Sequence, residues 1–79
     1  MTEQNFDTLL HRRDTTRNMS RFYHVVVERD LFGAFLAVRR WGRIGTLGRS
    51  RQTACPSLPD ALEIAEFHAR RKRRRGYVE

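Results

Sequence analysis

Between Ser20 and Glu28 the chain alternates aromatic and β-branched residues in a period of two, which predicts a β-strand. Tyr23, Val25 and Val27 fall on one face, and Phe22, His24, Val26 and Glu28 on the other. The first face is the cleaner and is expected to meet a helix. Phe35 to Trp41 repeats the pattern, with Leu36 and Val38 opposite Phe35, Ala37, Arg39 and Trp41. Phe6 to Arg12 predicts an earlier, edge strand. Arg49 to Ala54 predicts a later one with little apolar content, as expected beside solvent or a ligand. Residues 1–5 are polar and are expected to be disordered.

Thr15-Thr16-Arg17-Asn18 reads as a turn, because Asn tolerates left-handed backbone and Thr hydroxyls bind local amides. Asp30-Leu31-Phe32-Gly33 reads as a connection, and Pro56 breaks the sheet. Beyond it the apolar period lengthens to that of a helix, from Leu58 to about Arg75. Ser57 is suited to its N-cap, Asp60 to its third position and Pro59 to its first turn. Leu58, Ala61, Leu62, Ala65 and Ala69 form one stripe, extended by Ile64 and His68. Phe67 falls opposite Leu58, with the N-terminal segment as the contact considered for it. Gly76 is placed to end the helix, after which Tyr77 can fold back. The fold class this implies is α+β: an antiparallel, roughly four-stranded sheet with one C-terminal helix across one face. Residues 1–18 form an N-terminal segment of the same domain, 19–77 its body and 78–79 a tail.

Composition narrows the function. A chain of 79 residues makes one domain. Its single cysteine, Cys55, rules out an intramolecular disulfide and suits a reducing, cytoplasmic setting. Met1 to Leu10 has no signal-peptide core, and Val25-Val26-Val27 is too short to span a bilayer, so no membrane partner is expected. The net charge is +7, from 16 basic and 9 acidic side chains, and 15 of the 16 are arginine. Arginine's planar fork matches phosphate, which favours a phosphate-bearing partner over solubility alone. A general compositional bias toward arginine accounts for the total less badly than for the clustering. Six of the positive charges form the run Arg70 to Arg75, and the rest of the excess surrounds one loop.

That loop is Trp41-Gly42-Arg43-Ile44-Gly45-Thr46-Leu47-Gly48, which holds the only tryptophan of the chain. A flat aromatic beside guanidinium groups suits stacking on a base or sugar while the arginines neutralise phosphates. The candidate nucleic-acid-binding residues are Trp41, Gly42 and Arg43, with Arg39, Arg40, Arg49 and Arg51 around them and Arg73, Arg74 and Arg75 from the terminal run. Trp41 is alternatively a core residue, and each flanking arginine alternatively a solvated strand residue. The Gly42/Gly45/Gly48 spacing is not a nucleotide fingerprint, because this loop joins two strands and not a strand and a helix. His11, His24 and His68 lie on separate elements without metal spacing, and read as structural or surface residues. No cofactor motif or catalytic constellation stands out, so an enzyme is not expected.

Phe22-Tyr23, Leu31-Phe32-Gly33, Arg40-Trp41-Gly42-Arg43-Ile44-Gly45 with Gly48, the helix from Ser57-Leu58 and Gly76-Tyr77 occur here in one order. Together, from about Met19 to Tyr77, they resemble the WGR domain, found in some poly(ADP-ribose) polymerases and as short stand-alone bacterial proteins. This chain looks more like the stand-alone kind. The resemblance implies the same sheet-and-helix fold. It also implies contact with the end of a DNA break, a role that maps onto Trp41 and Arg43. Family members often carry Gln or Lys after the third glycine, where Arg49 stands here.

The expected function is therefore a small, monomeric nucleic-acid-binding module, with DNA favoured over RNA. The alternative is a protein–protein adaptor that docks an acidic partner through the same loop. Single-stranded RNA is a third reading, since nothing in the residues discriminates the 2′-hydroxyl.

Overall fold

A computed structural model describes residues 3–79, with side chains from Phe6 onward. Four strands form one antiparallel sheet in sequence order: β1 (Glu3–Asp14), β2 (Met19–Arg29), β3 (Phe35–Arg43) and β4 (Arg49–Cys55). One helix, α1 (Leu58–Arg74), lies across a single face. The α+β meander is the fold that the periodicities imply.

β1 is longer than its own apolar pattern suggests. It pairs with β2 from Glu3 opposite Arg29 to Asp14 opposite Met19, with one register shift between Gln4 and Phe6. Backbone pairing therefore carries the strand through residues 3–5, which were expected to be disordered; residues 1 and 2 lie outside the described part. The connection to β2 is a single 3₁₀ turn, Thr15–Arg17. Asp14 caps it by accepting hydrogen bonds from the Thr16 amide at 3.1 Å and the Thr16 hydroxyl at 2.6 Å. The hydroxyl bond above all holds the Asp14 carboxyl below the ordinary carboxylate range. Asn18 takes the left-handed conformation that closes the turn, with φ 49°.

The core lies between the sheet and the small-residue stripe of α1. Tyr23, Val25 and Val27 of β2 face the helix, joined by Leu10, Ala37 and Cys55 from the other strands. Ala61, Ala65 and Ala69 supply the facing stripe, and their short side chains let the helix sit close on the sheet. Leu10, Val25 and Val27 are fully buried, each contributing about 1.5–3 kcal/mol by the area it removes from water. Tyr77 returns from the end of the helix to meet the Tyr23 ring edge-on, centroids 6.5 Å apart. Beyond it, Val78 pairs with His11 of β1 through backbone bonds of 2.6 and 2.9 Å.

Ser57 caps α1 as its sequence predicts. Its hydroxyl accepts from the Asp60 amide at 3.3 Å, and Pro59 occupies the first turn. Phe67 lies elsewhere than expected. It is about half exposed, packs edge-on to His68 and borders a groove with Cys55 and Pro56, on the β4 side and not against the N-terminal segment.

Candidate nucleic-acid interface

The register of the sheet arranges the loop residues around Trp41. Tyr23, Trp41 and Arg49 are consecutive cross-strand partners, as are Val25, Arg39 and Arg51, and Arg21 pairs with Arg43. Cross-strand partners share a face, and this one is the face that carries the helix. Trp41 thus has Arg39 and Arg43 two residues to either side on its own strand, Arg49 directly across, and Arg21 and Arg51 on the diagonals. The last turn of α1 adds Arg71 and Lys72 from above, and its C-cap adds Arg75.

Trp41 is half-buried. One part of its surface packs against the core, and the remainder is open to two adjoining pockets. The first lies between the sheet and the helix end, bordered by Arg39, His68, Arg71 and Arg75. The second opens toward the turn, bordered by Arg21, Gly42, Arg43 and Tyr77. Both include Trp41 and Lys72, and neither is lined by a carboxylate. The Arg39 guanidinium carbon is 5.8 Å from the Trp41 ring centroid, and Lys72 Nζ is 4.9 Å from the Tyr23 ring and 5.2 Å from the Tyr77 ring. Aromatic faces thus hold the cations at the floor of the site.

The electrostatics show a cluster of like charges. Burial first, and then Arg75, Arg21, Arg71 and Arg39, lower the pKa of Lys72 below that of a free lysine. Burial and then Arg39, Arg71 and Lys72 lower that of His68. Arg39 Nη1 donates to His68 Nδ1 at 3.4 Å, which requires that nitrogen to be an unprotonated acceptor. An anion placed here would relieve repulsion among these cations.

The turn after Trp41 is rigid for local reasons. The Ile44 amide donates to the Ser20 carbonyl at 3.0 Å, and the Thr46 amide and hydroxyl both donate to the Arg43 carbonyl, at 3.1 and 2.8 Å. Gly48 takes φ +71°, and a Cβ there would strike the Trp41 carbonyl and come within 2.9 Å of the Phe22 ring. Only glycine lets the returning chain pass this close. Arg43 in turn donates to the Asn18 carbonyl at 3.4 Å, so its guanidinium stays near the loop.

Of the candidate residues, Trp41, Gly42, Arg43, Arg39, Arg49, Arg51 and Arg75 therefore come together. Arg40 does not: it points to the opposite face, its guanidinium carbon 5.9 Å from the Phe22 ring. Arg73 turns toward β1, where it pairs with Glu79 at 3.0 Å and borders a groove with Phe6 and Thr8. Arg74 is exposed and borders neither pocket at Trp41. Conversely Arg71, Lys72, His68, Tyr23 and Arg21 enter the site without having been singled out. The helical spacing of His68, Arg71 and Lys72, in step with Arg75, was the available signal for three of them.

The chain is 38% identical over 77 residues to a protein of Sinorhizobium fredii named "Uncharacterized protein y4dW". The match covers 98% of this chain and 38% of that protein, so the chain spans well under half the length of its relative. Residues 6–79 match the WGR domain. The chain belongs to the WGR domain family, a family of nucleic-acid-binding modules.

Proposed function

We propose that this chain binds DNA, at ends or breaks in the first place, through Trp41 and the basic groups around it. The observation that carries the reading is a half-exposed indole between two cationic pockets, neither of them lined by a carboxylate. Trp41 stacks on a terminal sugar or base. Arg39, Arg43, Arg49 and Arg51 hold phosphates from the sheet, while Arg71, Lys72 and Arg75 hold them from the helix. The work is binding and not catalysis, and the setting cytoplasmic. Each phosphate bound removes part of the like-charge repulsion that, after burial, depresses Lys72 and His68.

The test is fluorescence anisotropy on two duplexes of equal length, one with open 5′-phosphorylated ends and one closed by hairpins, over a range of salt. Tighter binding to the open duplex is expected. If about four to six phosphates are neutralised, log K falls with log salt at a slope of about −4 to −5. Equal affinity for both duplexes would reduce the protein to a general basic binder. No binding at low salt would leave the acidic protein partner as the better reading.

A further inference from the structure

The two edges of the sheet are not alike. On the outer strand β1 the register shifts between Gln4 and Phe6, and the returning Val78 covers it at His11. Irregularities and covering segments of this kind stop a sheet from accepting another strand. β4 has neither. It pairs with β3 from Trp41–Arg49 to Phe35–Cys55, and no described residue pairs with its other side. The backbone amides and carbonyls along that side point away from β3.

Beside this open edge runs a groove of about 480 Å³ between β4 and α1, with Cys55, Pro56, Ile64 and the half-exposed Phe67 as its apolar walls. The charges along it are ordered. Arg49 and Arg51 stand on β4 toward the tryptophan loop, outside the groove lining; within it Asp60 and Glu63 lie toward Cys55, with His68 and Arg70 farther along the helix. A strand edge guarded only by arginine repels a second copy of a chain that carries +7, while it attracts an acidic one.

We infer that the β4 edge is a docking site for an extended acidic peptide, which adds as a fifth, antiparallel strand. Main-chain hydrogen bonds to β4 supply register, and alternate side chains supply choice. Arg49, Arg51, Thr53 and Cys55 share the helix-side face of the sheet with Trp41 and Phe35. Reading the peptide from its N-terminus, the residue opposite Cys55 and the one opposite Thr53 enter the groove and are apolar. Those opposite Arg51 and Arg49 are acidic. The pattern is apolar-x-apolar-x-acid-x-acid, with the positive α-amino end toward Asp60 and Glu63. This inference does not rest on the nucleic-acid reading, because its edge and groove exist whatever the Trp41 pockets bind.

The experiment titrates the free-amino, C-terminally amidated peptide Leu-Ser-Val-Ser-Glu-Ser-Glu into ¹⁵N-labelled protein without nucleic acid. The retro sequence serves as a control of identical composition. Saturable shifts concentrated on β4 amides and on Phe67 are expected, with affinity at least about tenfold above the retro peptide. Methylating the peptide amides that face β4 is expected to cost about tenfold or more, with the protein untouched. Phe67→Ala and Arg51→Glu, both at exposed positions, should weaken binding about fivefold while leaving the other amide shifts in place. Equal affinity for the retro or methylated peptide would overturn the proposal in favour of plain charge attraction. A dimer in sedimentation that the peptide dissociates would also overturn it, giving the edge to a second copy.

Discussion

Trp41 and Lys72 border both of the cationic pockets, so one indole and one ammonium form the partition between them. The relationship has an energetic side as well as a geometric one. Trp41 contributes to the core from the same position that it offers a ligand, and Lys72 carries a charge that the fold itself disfavours. Stability and binding therefore separate at one residue and coincide at the other.

Trp41→Ala is expected to lower both. Its indole is half-buried, so the loss of stability is about 2 kcal/mol, below the ~3–5 kcal/mol of a fully buried tryptophan. Urea denaturation measures this, and anisotropy with an open-ended duplex measures the accompanying loss of affinity. Trp41→Phe should recover most of the stability and part of the binding. An unfolded Trp41→Ala protein would mean that the ring is wholly core.

Lys72→Met should leave stability within about 0.5 kcal/mol of the parent, because it keeps the stem over Tyr23 and Tyr77 and removes a charge whose ionised form the site disfavours. Affinity for duplex should nevertheless fall, and the salt slope should flatten by about one. A large loss of stability with unchanged affinity would place Lys72 in the core economy alone.

The pH dependence follows from His68. Its folded pKa lies below its ordinary value of 6.5, so the unfolded chain takes the proton first. The contribution of His68 to stability is intact above pH 6.5 and declines as pH falls from there toward the folded pKa. A bound phosphate favours the imidazolium, so duplex affinity should rise over the same interval. His68→Gln should remove that rise, as read by anisotropy at pH 5.5 and 7.5.

Arg39 and Arg40 are neighbours in sequence on opposite faces of β3. Arg39→Ala is expected to cut affinity for duplex about fivefold, and Arg40→Ala to change it less than about twofold. Equal losses would show that the ligand reaches both faces of the sheet.

Gly48→Ala should cost about 2 kcal/mol or more, through positive φ and through contact with the Trp41 carbonyl. Tryptophan emission should shift with it, as the ring moves. Unchanged stability and emission would mean that the turn relaxes without displacing Trp41.

Much of this architecture was legible because its two periods are clean. The alternation of Tyr23, Val25 and Val27 against Phe22 and Val26 marks the central strand and its helix-facing side. The Ser57 cap and the alanine spacing mark the helix. β1 was read too short because its polar N-terminal end shows no apolar alternation and is held by backbone pairing to the partner strand. Within the site, strand parity already separates Arg40 from Arg39, Arg43 and Trp41. Grouping the arginines by nearness in sequence obscures that separation. The part played by Arg71 and Lys72 depends on the angle at which the helix crosses the sheet, and so does the departure of Arg73 toward Glu79. A crossing angle is set by packing over the whole face, which no local spacing reports.

Every strand in the sheet pairs with its neighbour in the chain. Each pairing therefore closes a short loop, and the entropy lost before contacts form is small. Rapid zippering of hairpins is the expected route, with the helix docking afterwards and the His11–Val78 clasp closing last. The residues around Trp41 on β2, β3 and β4 are assembled before that clasp exists, while Lys72 and Arg75 arrive only when the helix docks. The cationic cluster is thus completed in the step that closes the core, so the apolar burial of α1 on the sheet and the repulsion at its end are met together.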